Sequence, residues 1–225
     1  MNLPFMARVL KSMTRILRIS GWLLMLLFAT AIAIVSLRYF VLRPEVAAGD
    51  SPLGDKFANH LPLLLTHIAG GFLALFIGPW QFWGGLRKRS LSLHRWLGRL
   101  YLCAVLLGGV AGLCLATIAF GGLPAALGFG SLAALWLVTA GLAYLRARQG
   151  DIDAHREWMI RNYAMTFAAV TLRLWIPLLL STGLTFDVAY PIIAWLCWVP
   201  NLLAAELFIS GARRKRALPA KEYAV

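Results

Sequence analysis

The stretch LYLCAVLLGGVAGLCLATIAFGGLPAALGFGSLAALWLVTAGLAYL, residues 100–145, contains no charged side chain. A helix needs roughly 20 apolar residues to cross about 30 Å of hydrocarbon, and this stretch is long enough for two such helices. Its centre, GGLP at residues 121–124, carries the glycine and proline that end helices and form turns. The stretch therefore predicts two consecutive membrane-spanning helices, at residues 96–120 and 125–145.

Further apolar runs lie on both sides of this pair, and they predict helices at residues 20–41, 61–83, 158–181 and 189–210. Across the chain 60% of the residues are hydrophobic and 14% are charged, whereas soluble domains carry about 25% charged residues. The sequence thus predicts an all-α fold, a polytopic membrane bundle of six transmembrane helices. Residues 20–210 form this domain, between basic tails at residues 1–19 and 211–225.

Basic residues are concentrated on one side of the predicted bundle. They are Arg8, Lys11, Arg15 and Arg18 before helix 1, Arg87, Lys88, Arg89, Arg95 and Arg99 between helices 2 and 3, Arg146, Arg148, Arg156 and Arg161 between helices 4 and 5, and Arg213, Arg214, Lys215, Arg216 and Lys221 after helix 6. The opposite side has Arg38, Arg43 and Lys56. Lys and Arg collect in cytoplasmic loops, so both termini are expected in the cytoplasm.

The same distribution explains the net charge of +13 without a nucleic-acid partner. Nucleic-acid-binding domains place basic clusters on a recognisable soluble fold, often beside aromatic residues that stack on bases. No such segment is present, so the expected surroundings are the lipid bilayer, with no nucleic acid.

Ionisable residues inside the predicted spans are candidates for function, because they are costly in lipid. At 100° per residue, His155, Asn162, Thr166 and Arg173 share one face of helix 5, which predicts a polar stripe towards the bundle interior. On helix 2 the glycines Gly71 and Gly78 share a face with His67. On helix 3 His94 shares a face with Gly98, Tyr101, Gly108 and Gly112.

Depth divides the candidate site residues into two groups. His94 and His155 both lie where a helix begins, near the cytoplasmic surface. His67 and Arg173 lie nearer the opposite surface, and His60 lies above His67. We therefore expect an inner pair, His94 with His155, and an outer group built on His67 and Arg173.

Several functions fit this arrangement. Paired neutral imidazoles bind haem iron, glycines leave room for the porphyrin, and arginine pairs with propionates. One b-type haem, held by His94 and His155, would serve electron transfer with a redox partner or a quinone.

Two other interpretations stay open. The first is a metal site that adds Asp151, Asp153 and Glu157 to the histidines. The second is a non-redox module for transport or lipid binding, with Glu206 and the bends expected at Pro177 and Pro200 along its path. Glu206 would also serve as plain structural support by pairing with Arg161 or Arg99.

Two motifs carry a family likeness, HRWLGRLY at residues 94–101 and HREWMIRNYAMT at residues 155–166. Together with HIAGG at residues 67–71, they resemble a bacterial family of predicted multi-pass membrane proteins that is known as a domain of unknown function. The resemblance implies a multi-helix protein of the bacterial plasma (inner) membrane and no established activity. The histidines at two depths are also similar to those of membrane b-type cytochromes, although no second helix offers an outer histidine.

Overall fold

A computed structural model of the chain describes residues 3–42, 44–47 and 53–217. Two basic residues that bear on orientation, Arg43 and Lys221, lie outside these ranges. The described helices are α1 (Leu3–Ser36), α2 (Arg38–Val41), α3 (Pro44–Ala47), α4 (Leu53–Asn59), α5 (Leu61–Phe82), α6 (Gly84–Arg89), α7 (Leu91–Ala116), α8 (Gly122–Arg148), α9 (Ile152–Thr166), α10 (Ala168–Ser181), α11 (Phe186–Leu196) and α12 (Val199–Ala217).

Six helical segments of the described residues are long and apolar enough to cross a membrane. They are Ser12–Val41, Leu61–Phe82, Leu91–Ala116, Gly122–Arg148, Ile152–Ser181 and Phe186–Arg214. The predicted all-α bundle of six transmembrane helices is therefore confirmed. The positions of the two tails relative to the membrane stay a prediction.

Several helices begin earlier than the hydrophobic pattern predicts. The start expected at residue 96 is wrong, because Ser90 caps α7 by accepting a hydrogen bond from the Leu93 amide at 3.2 Å. The start expected at residue 158 is also wrong, because the Asp151 carboxylate caps α9 by accepting a hydrogen bond from the Ala154 amide at 3.0 Å. Side-chain caps satisfy amides that would otherwise lack a partner, so polar residues extend both helices beyond their apolar parts.

The last two spans are each interrupted. Between α11 and α12 the break falls at residues 197–198, directly before Pro200 in the first turn of α12, where proline is tolerated. The interruption beside Pro200 lies where the sequence predicted a bend, whereas Pro177 lies inside α10 without an interruption. The break between α9 and α10 comes ten residues earlier than Pro177, at Phe167. It follows Thr166, whose hydroxyl bonds the Asn162 carbonyl at 3.1 Å, a contact that bends helices.

The tightest helix contact joins α5 and α7. A β-carbon added at Gly70 would lie 2.5 Å from the Ala104 carbonyl oxygen and 2.7 Å from Cα of Gly108. Side chains are therefore excluded from this crossing, as in the small-residue interfaces of membrane helices. The helix α8 packs against α7, α9 and α11, and α1 covers α5.

Large apolar side chains point outward from the bundle while polar groups lie within it. Leu207 is 77% exposed and Leu123 is 70% exposed, whereas Asn162 is fully buried and Thr166 is 4% exposed. An apolar outer surface suits contact with the hydrocarbon of the bilayer. Because lipid tails are as apolar as these side chains, packing and hydrogen bonds hold the helices together. The buried polar residues confirm that the helix 5 stripe faces the interior.

Candidate functional site

His94 and His155 line one cavity at the end of the bundle where α7 and α9 begin. The cavity has a volume of about 670 Å³, within the range of small-molecule sites in proteins. Phe82, Leu102 and Met159 supply apolar wall. We call this space the His94–His155 cavity. It brings together, from two separate helices, the two histidines that the sequence placed at one depth.

His155 has one ring nitrogen occupied and one left over. Its Nδ1 lies 2.8 Å from the backbone oxygen of Ala143. Because a carbonyl only accepts, Nδ1 must carry the proton of this bond, which leaves Nε2 with a lone pair in the neutral ring. Metal-bound histidines are commonly oriented by such a backbone bond to the second nitrogen. His155 is thus held as a ligand would be.

His94 and Gln81 present buried polar atoms without partners. Nδ1 of His94 and Nε2 of Gln81 have no hydrogen-bond partner among the described residues, and both side chains line the His94–His155 cavity. Gln81 is only 6% exposed. Buried polar atoms are almost always paired in proteins, so these two atoms are exceptions in the packing beside the cavity.

Positive charge dominates the wall of the same cavity. The cationic lining residues are Arg87, Arg95, Arg99, Arg148 and Arg156. The one described carboxylate in the wall, Asp153, lies 2.7 Å from Arg216 in an ion pair. Guanidinium groups bind carboxylates and phosphates with paired hydrogen bonds. The cavity is therefore suited to a ligand with anionic groups.

A second cavity of about 440 Å³ lies towards the opposite end of the bundle. It is lined by His67 and Gly71 of α5, Gly112 of α7 and Arg173 of α10. We call it the Arg173 cavity. His67 and Arg173 are therefore brought together as the sequence suggested, whereas His60 lines neither cavity among the residues described.

Hydrogen bonds orient His67 and Arg173 in the Arg173 cavity. Nδ1 of His67 donates to the Gly108 oxygen at 2.8 Å, so its Nε2 is the nitrogen left over. Nη1 of Arg173 donates to the Ala169 oxygen at 2.7 Å, and Nη2 donates to Oγ of Ser36 at 3.1 Å. A β-carbon at Gly112 would lie 3.0 Å from Nδ1 of His67, so this glycine makes room for the imidazole.

A buried polar network lies between the two cavities. The Tyr101 hydroxyl donates to Oδ1 of Asn162 at 2.6 Å, and it lies 2.8 Å from Oγ1 of Thr166. The Trp136 indole donates to the same Thr166 oxygen at 2.8 Å. Nδ2 of Asn162 donates to Oγ1 of Thr139 at 2.8 Å. The network satisfies its members and joins α7, α8 and α9.

The glycines that the sequence placed beside His67 and His94 differ in what surrounds them. Gly78 accommodates the ring of Tyr163, and Gly108 packs against Gly70. A β-carbon at Gly71 would meet no atom within 4 Å, and one at Gly98 would approach Oε1 of Gln81 at 3.4 Å. Helix packing therefore explains Gly78 and Gly108. Open space remains beside Gly71, which lines the Arg173 cavity, whereas Gly98, which lines the other cavity, lies against Gln81.

The acidic residues near the first cavity take part in ion pairs. Arg161 binds Glu206 through two bonds, Nε to Oε1 at 2.5 Å and Nη2 to Oε2 at 2.9 Å. Glu157 pairs with Arg213. Glu206 therefore has the structural pairing with Arg161 that the sequence suggested.

No group of three or more His, Cys, Asp or Glu side chains able to hold a metal ion occurs among the described residues. Gln81 is a polar residue of the second predicted span that was not predicted as a site residue. It lies in an apolar run, and only the packing around its amide reveals the unpaired nitrogen.

Comparisons with the curated proteins and with the solved structures find no match to this chain. The family described as "Predicted membrane protein (DUF2306)" matches residues 64–209. This range contains the third to fifth spans, most of the second and sixth, and the residues His67, His94, His155 and Arg173. The chain belongs to this family of predicted membrane proteins, a domain of unknown function.

Proposed function

We propose that the protein binds one b-type haem in the His94–His155 cavity and transfers electrons within the membrane. The observation that carries the proposal is the pair of imidazoles on α7 and α9 in the wall of one cavity. When bound, the haem would supply a one-electron couple, which proteins tune through axial ligands and surrounding hydrogen bonds.

The residues present fit the group in three respects. Nε2 of His155 is left with a lone pair by the bond to Ala143. The imidazole of His94 lines the same cavity from a second helix. The arginines of the wall suit two propionates.

Each side chain would have a defined task. His94 and His155 would ligate the metal from two helices, and the Ala143 carbonyl would hold the ring of His155 in place. Arginines such as Arg95 and Arg99 would bind the anionic edge. Apolar residues including Phe82 and Leu102 would contact the macrocycle and keep water from it.

The test is an absorption spectrum of the purified protein in detergent, taken oxidised and then after dithionite reduction. Haem-replete cells are used for expression. We expect a Soret band with reduced α and β bands, at about one haem per chain for a single bis-imidazole site. His94→Ala and His155→Ala should each remove these bands.

His60→Ala is the matched control, because His60 lines neither cavity among the described residues, and it should keep the full spectrum. A colourless wild-type protein overturns the proposal. So does full retention of the spectrum in either His94→Ala or His155→Ala.

A second candidate is a non-redox module for transport or lipid binding. The excess of arginine over carboxylate around the His94–His155 cavity favours it, because a phosphate head group would meet the same guanidinium groups. The spectrum separates the two functions. A colourless preparation that carries co-purifying anionic lipid, lost in Arg99→Gln, would favour the second candidate.

The proposal includes a location. We place the His94–His155 cavity on the cytoplasmic side of a bacterial inner membrane, with both tails in the cytoplasm. The arginines around this cavity support the orientation, because positive residues flanking spans are retained on the cytoplasmic side.

A further inference from the structure

The Arg173 cavity contains positive charge without a described carboxylate in its wall. Among the described residues that line it, Arg38 and Arg173 are the two with cationic side chains, and none is Asp or Glu. Within the described part of the chain, Arg173 forms no ion pair. A charge at membrane depth is costly and generally has a partner, so an anion from outside the chain would relieve this cost.

The donors of Arg173 are only partly used. Its bonds to the Ala169 carbonyl and to the Ser36 hydroxyl engage one hydrogen on each terminal nitrogen. Both partners are neutral and therefore fix the guanidinium without cancelling its charge. A guanidinium has further N–H groups in the same plane, and these remain for a ligand in the cavity that Arg173 lines.

Most of the remaining wall is hydrocarbon. Leu64 and Ile68 of α5, Leu115 of α7, and Leu172 and Ile176 of α10 are among the lining residues. A ligand that fills this space must therefore have an apolar body. It must also have a head group that accepts hydrogen bonds from a cation.

His67 supports the same head group from a second helix. Its Nδ1 is engaged by Gly108, which leaves Nε2 for the cavity. In the neutral ring this Nε2 is an acceptor, so His67 would bond a hydroxyl of the head group, while Arg173 would bond its anionic oxygens. Gly71 leaves open space beside the ring, since a β-carbon there would meet nothing within 4 Å.

We propose that the Arg173 cavity binds an anionic amphiphile, with a carboxylate or phosphate head on Arg173 and a hydrocarbon tail along the apolar wall. The ligand is either a free long-chain carboxylate or a phospholipid drawn from the bilayer, which present the same chemistry to the cavity. This proposal does not depend on haem, because it concerns the other cavity.

The test is binding of tritiated oleate to the full-length protein in detergent, measured by scintillation proximity. We expect saturable binding that unlabelled oleate displaces and that methyl oleate, its neutral ester, does not. Competition by phosphatidylglycerol but not by phosphatidylcholine would identify the bilayer as the source. Competition by oleate alone would identify a free carboxylate.

Variants locate the site. Arg173→Gln should weaken oleate binding by about tenfold or more, as expected when a charge-assisted bond is lost. Arg173→Lys should retain much of the affinity because it keeps the charge. Arg146→Gln, an exposed arginine that lines neither cavity, is the matched control and should leave oleate binding unchanged.

Three outcomes overturn the proposal: no saturable binding, equal competition by methyl oleate and oleate, or unchanged affinity in Arg173→Gln. If Arg173→Gln does not fold, the comparison of oleate with its ester on the wild-type protein still decides whether the cavity requires an anion. Arg173→Lys then tests the position of the charge.

Discussion

The Tyr101 hydroxyl donates a hydrogen bond to Oδ1 of Asn162 across 2.6 Å, between helices α7 and α9 in the centre of the bundle. Tyr101 and Asn162 are both fully buried. The Asn162 amide continues the network to Thr139 and to the Trp136 carbonyl. One asparagine thus connects three helices at the level between the two cavities.

Replacing Asn162 should therefore destabilise the bundle. Asn162→Leu removes the oxygen that accepts the hydrogen bond of the Tyr101 hydroxyl. We expect the free energy of unfolding to fall by about 1–3 kcal/mol, the cost of an unsatisfied buried group. Interhelical bonds in membranes average about 0.6 kcal/mol, so a loss near this lower value would mean that Tyr101 finds another acceptor. Unfolding in mixed micelles, followed by tryptophan fluorescence, measures the change.

Thr117→Val is the control for this experiment. Thr117 is exposed, and its hydroxyl donates a local hydrogen bond to the Cys114 carbonyl, three residues earlier, at 2.7 Å. Its removal should change the unfolding free energy by less than about 0.5 kcal/mol. An equal effect of both substitutions would contradict a special role for the Asn162 network.

The glycine crossing of α5 and α7 should tolerate no side chain. Gly70→Ala brings a methyl group within 2.5 Å of the Ala104 oxygen, and overpacking of this kind costs about 1–3 kcal/mol. Gly141→Ala is matched to it, since a β-carbon there meets no atom within 4 Å. We expect a lower melting temperature for Gly70→Ala and an unchanged or slightly higher one for Gly141→Ala, because alanine favours helix.

The ion pair of Arg161 and Glu206 should contribute little. The side chains are 14% and 42% exposed, so solvent screens the attraction and we expect a coupling of about 1 kcal/mol or less. A double-mutant cycle of Arg161→Gln and Glu206→Gln measures it through unfolding in detergent. Arg161 also stacks on Trp158, with Cζ 4.6 Å from the ring centroid. Because this contact does not involve Glu206, its contribution cancels in the double-mutant cycle.

A coupling well above 1 kcal/mol would mean that the pair is shielded from water more than its exposure indicates. Arg146→Gln serves as the reference, because Arg146 is exposed and bonds Gln149 at 3.2 Å. It should leave stability nearly unchanged.

The orientation predicted from the basic residues can be tested with fused reporters in a bacterial host. A green fluorescent protein after residue 225 should fluoresce, because it folds in the cytoplasm. Alkaline phosphatase fused in the turn between α7 and α8 should be active, because it requires export. The reverse pattern at both positions would show that the arginine-rich side faces outward, against the positive-inside rule.

The lengths of uncharged runs were enough to predict six spanning helices, because the cost of polar groups in hydrocarbon acts on each segment separately. Helical phase was likewise enough to place Asn162 and Thr166 on an inward face. The helix starts at Ser90 and Asp151 were missed, because capping by a single polar side chain leaves no trace in hydropathy.

Only the tertiary structure decided which polar groups meet. Arg173 reaches Ser36, far away in the sequence, and the unpaired amide of Gln81 lies beside the cavity of His94 and His155. Such contacts depend on the rotation and spacing of packed helices, which close approaches such as Gly70 against Gly108 determine. Hydrophobicity is summed along one helix and therefore predicts spans, whereas a site joins several helices and forms only when they pack.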